Sequence, residues 1–175
     1  MNDKISVIMA TYNCEKTVEK AIDSILAQTY ENWVTIICDD GSADGTLEIL
    51  RRYEREHPGK FVIIQNEENK KLPYSLNHCL QYVQTDLVAR MDGDDWSAPD
   101  RFEKQVAFLK EHPEYDLVGT GVTVFDGEKK IPVTGISMSG KLSEVLNSIR
   151  LSEKTVAKDN YKGPAIALLK NLSII

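Results

Sequence analysis

Two acidic segments, each at the end of a short apolar run, carry the chemistry that this sequence offers. Trp33 to Cys38 leads into Asp39-Asp40-Gly41-Ser42-Ala43-Asp44-Gly45-Thr46, and Leu87 to Met91 leads into Asp92-Gly93-Asp94-Asp95. Alternate carboxylates such as Asp92 and Asp94 can reach one hard cation through oxygen, and Gly93 lets the backbone turn sharply and admit a ligand closely. Mg²⁺ and Mn²⁺ suit such an incomplete cage, because one or two carboxylates and the phosphates of a ligand complete their shell. A solvated loop that caps the helix starting near Pro99 is the bland alternative. A calcium-binding EF-hand is poorly supported, since Trp96 stands where its third ligand would be and no twelfth-position Glu follows. Asp39 and Asp40 leave a strand in opposite directions, so one can line a cleft while the other holds the turn. A carboxylate at a cleft rim accepts the ring N–H of uracil or thymine. The commoner fate of Asp-Gly-Ser is a turn. Together the two segments suggest a site for a sugar-bearing nucleotide and a divalent cation.

Other candidates are weaker. Lys70-Lys71 could pair with a diphosphate, although surface lysines are abundant, and Tyr12 could stack on a base or belong to the core. His57, His78 and His112 lack metal-ligand spacing and read as structural or solvated. Gly119-Thr120-Gly121 lacks the third glycine of a dinucleotide fingerprint, and no P-loop or nucleophile elbow is present.

Positioning these residues requires an alternating α/β chain. Ile5 to Ala10, Trp33 to Cys38, Phe61 to Ile64 and Leu87 to Met91 are short apolar runs of the kind buried on both faces of a parallel sheet. Between them, apolar residues at 18, 21, 22, 25 and 26 mark one helix, and Leu47, Leu50 and Tyr53 a second, with Asp44 as its N-cap. Pro73 opens a third, carrying Leu76, Cys79, Leu80 and Val83. Ser97 is the expected N-cap of a fourth, through Phe102, Val106 and Leu109. Asp116 to Val124 reads as a further strand, 126–129 as a turn and Lys141 to Ile149 as a short amphipathic helix. The pattern predicts a mostly parallel sheet with helices on both faces. Ligands of such sheets bind at the carboxyl ends of the strands, where both acidic segments and Thr11-Tyr12-Asn13 fall.

A net charge of −6 over 175 residues argues against nucleic acid as a partner. Three widely spaced cysteines give no disulfide framework and no zinc signature. Met1-Asn2-Asp3-Lys4 leads straight into a strand, and no apolar run approaches the ~20 residues of a membrane span. A cytoplasmic protein is expected, with peripheral association at the inner face of the membrane left open.

The motifs in order resemble the family 2 glycosyltransferases of the GT-A fold. The resemblance is carried by residues 6–13 (Ser-Val-Ile-Met-Ala-Thr-Tyr-Asn), 24–30 (Ser-Ile-Leu-Ala-Gln-Thr-Tyr), 39–46, Asn77, 89–96 (Ala-Arg-Met-Asp-Gly-Asp-Asp-Trp) and Pro99-Asp100-Arg101. It implies a donor-binding domain over 1–125, a partial or divergent acceptor-side segment over 126–175, and an incomplete acceptor-binding half. It also implies a nucleoside-diphosphate sugar, Mn²⁺ or Mg²⁺, and inverting transfer to a carbohydrate or lipid-linked acceptor, in surface polysaccharide synthesis. By the family pattern Ala10, Thr11 and Tyr12 contact the nucleoside and Asp40 reads the base. Asp92 lies by the ribose or the metal, Asp94 is the best candidate metal ligand, Gly93 is among the donor-binding residues, and Lys71 falls near a position that holds a basic residue for the diphosphate. The family's general base, the Asp of a Glu-Asp pair, has no counterpart here and is expected beyond Ile175; a chain truncated or divergent after about residue 150 would explain this. A non-catalytic donor-binding fragment or partner subunit is the alternative. A sugar nucleotidyltransferase is disfavoured, because Thr11-Tyr12-Asn13 is not a glycine-rich, Arg-bearing loop.

Overall fold

The structure, a computed structural model, describes residues 3–120, 123–126, 129–132, 139–140 and 167–170. Four parallel strands form its centre: β1 (Ile5–Thr11), β2 (Trp33–Asp39), β3 (Phe61–Gln65) and β4 (Leu87–Asp92), in the order β3-β2-β1-β4. The helices α1 (Val18–Leu26), α2 (Thr46–Glu56) and α3 (Leu72–Leu80) connect them, and α4 (Arg101–Glu111) follows β4. No described helix is long and apolar enough to cross a membrane.

The strand side chains alternate between two cores, as a pleat of period two requires. Val7, Met9, Ile37, Ile63, Ala89 and Met91 face one side, where the apolar stripes of α1, α2 and α4 cover them; Phe102, Val106 and Leu109 supply the α4 contact. Ile8, Ile36, Cys38, Ile64 and Val88 face the other side, covered by α3 through Cys79, Leu76 and Leu80. Among the described residues helices therefore do lie on both faces, three on one and one on the other.

Beyond α4 the architecture departs from the expectation. The strand read over 116–124 is divided: β5 (Leu117–Gly119) stays in the main sheet, whereas β6 (Thr123–Asp126) pairs antiparallel with β7 (Lys129–Pro132) in a separate ribbon. Asp126 stands opposite Lys129, so the ribbon brackets the expected turn, whose tip lies outside the described residues. The helix expected over Lys141 to Ile149 also lies outside them. Three short strands were not foreseen: β7, β8 (Ser139–Gly140) and β9 (Ala167–Lys170). β9 runs antiparallel between β4 and β5, and β8 pairs with the outer side of β5.

Candidate functional site

Strand register brings the first acidic segment, the second and the Thr11 segment to one rim. Ala10 lies opposite both Cys38 and Asp92, and Thr11 lies opposite Asp39, which in turn faces Gln65. The ladder runs on past the strands, with Asp40 N–H donating to Thr11 C=O (2.8 Å) and Asn66 N–H to Asp39 C=O (2.9 Å). Tyr12, just beyond Thr11, is 47% exposed and leaves its ring free at that rim.

The adjacent Asp39 and Asp40 divide the work that one of them could not do. Asp39 is fully buried and accepts Ser42 N–H (3.1 Å) and Ser42 Oγ (2.6 Å), so it ties the turn. That turn needs Gly41, whose φ is +72°; a Cβ there would stand 2.9 Å from the Glu68 carbonyl carbon. Asp40 points to the neighbouring loop instead. Its Oδ1 accepts Asn66 Nδ2 (2.7 Å) and Lys70 N–H (2.9 Å), and its Oδ2 accepts Lys71 N–H (2.9 Å). Burial alone would raise its pKa, but the donors from Asn66, Lys70, Ser75 and Lys71 outweigh it and hold the carboxyl below its ordinary value. Asp40 is therefore an ionised, acceptor-only group.

Three residues that the sequence reading gave no part in the site complete this network. Asn66 is buried and gives its Nδ2 to Ser75 Oγ (2.9 Å) as well as to Asp40. Its Oδ1 must then accept from His78 Nδ1 (2.9 Å), which makes Nδ1 the protonated ring nitrogen. His78, read as solvated or structural, thus props the residue that props Asp40.

Lys71 occupies a backbone region that only glycine adopts readily, with φ 74° and ψ 157°. The hydrogen bond to Asp40 Oδ2 holds it there, and its side chain remains exposed. Lys70, by contrast, pairs with Glu68. Lys71→Gly is expected to stabilise the fold by about 1 kcal/mol, strain relief exceeding the entropy cost of glycine. The same variant removes the exposed side-chain cation of a residue whose backbone N–H binds Asp40. Thermal unfolding and nucleotide titration together would show opposite signs for stability and affinity.

The second acidic segment is built differently. Arg90 clamps Asp92 with two bonds, Nε to Oδ1 (3.1 Å) and Nη2 to Oδ2 (3.0 Å). Asp94 is exposed, and no described residue donates a hydrogen bond to its carboxylate. Burial, followed by repulsion from Asp94 and Asp92, pushes Asp95 up; burial also pushes Asp92 up, with Arg90 pulling it back. Gly93 packs against Thr11: a Cβ would lie 2.9 Å from Thr11 Cγ2, and the Gly93 carbonyl accepts Thr17 Oγ1 (3.0 Å). Its absent side chain serves the approach of β1 to this loop. Gly93→Ala is expected to cost about 1–3 kcal/mol by overpacking, read as a lowered unfolding midpoint.

Among the described residues no three His, Cys, Asp or Glu side chains converge to enclose a cation. A cation here would be held by Asp94, with Asp92 or Asp95, and shared with the phosphates of a ligand. The donor set fits that arrangement: the carboxylates are crowded, all oxygen, and one is free.

The loop is anchored from behind by contacts that local sequence does not reveal. Ser97 does not cap α4; its Oγ accepts Arg101 Nη1 (2.9 Å), and the orphan N–H of Phe102 goes to Gln28 Oε1 (3.0 Å) instead. Gln28 Nε2 also binds Ala98 C=O (2.7 Å), so α1 holds the start of α4. Asp44 behaves nearly as expected. The formal cap of α2 is Gly45, but Asp44 Oδ1 takes Thr46 N–H (3.0 Å) and Thr46 Oγ1 (2.6 Å).

The four-stranded parallel centre with its acidic rim defines an α/β domain of the GT-A glycosyltransferase type. The chain belongs to Glycosyl transferase family 2, whose family model matches residues 6–167. It is 54% identical over 123 residues to EpsE of Bacillus subtilis (strain 168), covering 70% of this chain and 44% of that protein. It is 30% identical over 135 residues to the UDP-Glc:α-D-GlcNAc-diphosphoundecaprenol β-1,3-glucosyltransferase WfaP of Escherichia coli, covering 77% of this chain and 51% of WfaP. Among solved structures it is similar to S. aureus TarS 1-349 in complex with UDP-GlcNAc, with a TM-score of 0.63 and 27% identity over 75% of this chain and 37% of that one. The chain spans about half the length of the curated relatives it matches.

Proposed function

We propose that this chain binds a nucleoside-diphosphate sugar, with UDP or dTDP as its nucleotide, and passes the sugar with inversion to a hydroxyl of a carbohydrate or lipid-linked acceptor. Building a surface polysaccharide is the corresponding role. The observation that carries the reading is the ionised Asp40 on the rim shared with Asp92 and Asp94, beside the exposed Tyr12. WfaP by its name uses a UDP sugar and a lipid-linked acceptor, and TarS was solved with UDP-GlcNAc, which supports the same donor class here.

In this reading Tyr12 stacks on the base, and the free lone pair of Asp40 Oδ2 accepts the ring N–H of uracil or thymine. Cytosine offers an acceptor at that position and is rejected, because two acceptors cannot share a proton that neither carries. Ala10 and Thr11 line the nucleoside. Gly93 shapes the floor beside them, and Lys71 faces the diphosphate. Asp94, with Asp92, would hold Mn²⁺ or Mg²⁺. Such an ion neutralises charge developing on the departing diphosphate. The group that deprotonates the acceptor is not among these residues.

Calorimetric titration with UDP, dTDP, GDP and CDP, each with and without Mn²⁺, tests the assignment. UDP and dTDP should bind tightest, with a gain on adding Mn²⁺. Equal binding of CDP would refute base selection by Asp40. Release of pyrophosphate from a nucleoside triphosphate and a sugar phosphate would favour the nucleotidyltransferase instead.

A further inference from the structure

Arg101, the first residue of α4, is 4% exposed, and burial pulls its guanidinium down to a pKa of about 9. Its fork is spent on neutral acceptors. Nη2 donates to Arg90 C=O (3.1 Å), Nη1 to Ser97 Oγ (2.9 Å) and Nε to Gln105 Oε1 (3.1 Å). Arg90, near the end of β4, and Ser97 flank the acidic segment. Arg90 is also the residue whose side chain clamps Asp92. Gln105 fixes the fork in turn, since its Nε2 reaches Val118 C=O (3.1 Å) in β5. A single planar group therefore pins both stems of the loop that presents Asp92, Asp94 and Asp95.

We propose that Arg101 is the positioning residue of the divalent-cation subsite, setting the separation of the loop stems and so the presentation of Asp94. This rests on the reading of Asp94 as a metal-holding residue. It also assigns a task to a buried cation that makes no direct ion pair among the described residues and whose offsetting charge, from Asp95, acts through space. A lysine cannot substitute: its ammonium is a point donor and does not span two anchors in a fixed plane.

The test compares wild type, Arg101→Lys and Ser97→Ala, with Val106→Ala as a variant that perturbs the core face of the same helix away from the loop. Each is titrated with UDP alone and with UDP plus Mn²⁺, and thermal unfolding is recorded in parallel. Both loop-anchor variants should lose about tenfold of the Mn²⁺-dependent gain in UDP affinity, while metal-free affinity stays within about twofold. Val106→Ala should keep the whole gain despite a lower unfolding midpoint. A gain that survives in Arg101→Lys and Ser97→Ala overturns the positioning role alone. A wild-type protein whose UDP affinity ignores Mn²⁺ overturns the cation subsite, and this inference with it.

Discussion

Asp94→Ala is expected to remove the Mn²⁺-dependent part of UDP affinity and to lower sugar transfer by about 10²–10³-fold, the scale of losing one electrostatic partner of a developing charge. Stability should barely move. Asp94 is exposed and receives no hydrogen bond from a described residue, so truncation leaves no orphaned donor. Surface changes of this kind stay within about 0.5 kcal/mol. Relief of repulsion on Asp92 and Asp95 works in the stabilising direction. Calorimetry with and without Mn²⁺, set beside thermal unfolding, separates the two effects. An undiminished Mn²⁺ gain in the variant would remove Asp94 from the cation subsite.

Asp40→Asn should do the reverse, damaging fold and base selection together. Asparagine can accept with one end only, so at least one donor among Asn66 Nδ2, Lys70 N–H and Lys71 N–H loses its partner. Each orphaned buried donor costs about 1–3 kcal/mol. Release of the strained Lys71 backbone returns part of this, leaving a net loss of about 2 kcal/mol. The pH dependence follows from the depressed folded-state pKa of Asp40. Its contribution is complete above the unfolded value of about 3.9 and is lost as pH falls through the lower folded value. The stability gap between wild type and Asp40→Asn should therefore be flat from neutral pH down to about pH 5 and should narrow on further acidification. Denaturant unfolding across that range measures it. A gap that widens in acid would contradict the network. Discrimination between UDP and CDP should collapse in the same variant.

Some of the remaining expectations were legible because they depend on local pattern alone. Short apolar runs alternating with helical stripes specified the four parallel strands and α1 to α4, since burial on a pleat or a helix face imposes a period that the residues must carry. The same logic placed Thr11, Asp40 and Asp92 at strand ends. The later strands left little trace. β9 is four residues long, Ala167–Lys170, and its insertion between β4 and β5 is a choice of partner. The Ser97 cap assignment failed for a related reason: Gln28 satisfies Phe102 from 74 residues away and frees Ser97 to serve Arg101.

What the sequence by itself determined is the layered α/β domain, its family, and the end of the sheet at which carboxylates gather. These follow from hydrophobic periodicity and from motif order, which are properties of neighbours along the chain. Only the tertiary structure decided which of two adjacent aspartates ties a turn and which is held ionised by a second loop. It alone showed that Asn66, Ser75 and His78 support Asp40, that Arg90 occupies Asp92, and that Arg101 pins the loop bearing Asp94. Most of those contacts join side chains distant in sequence. Their existence depends on how strands register and helices dock, and neither composition nor spacing encodes that directly.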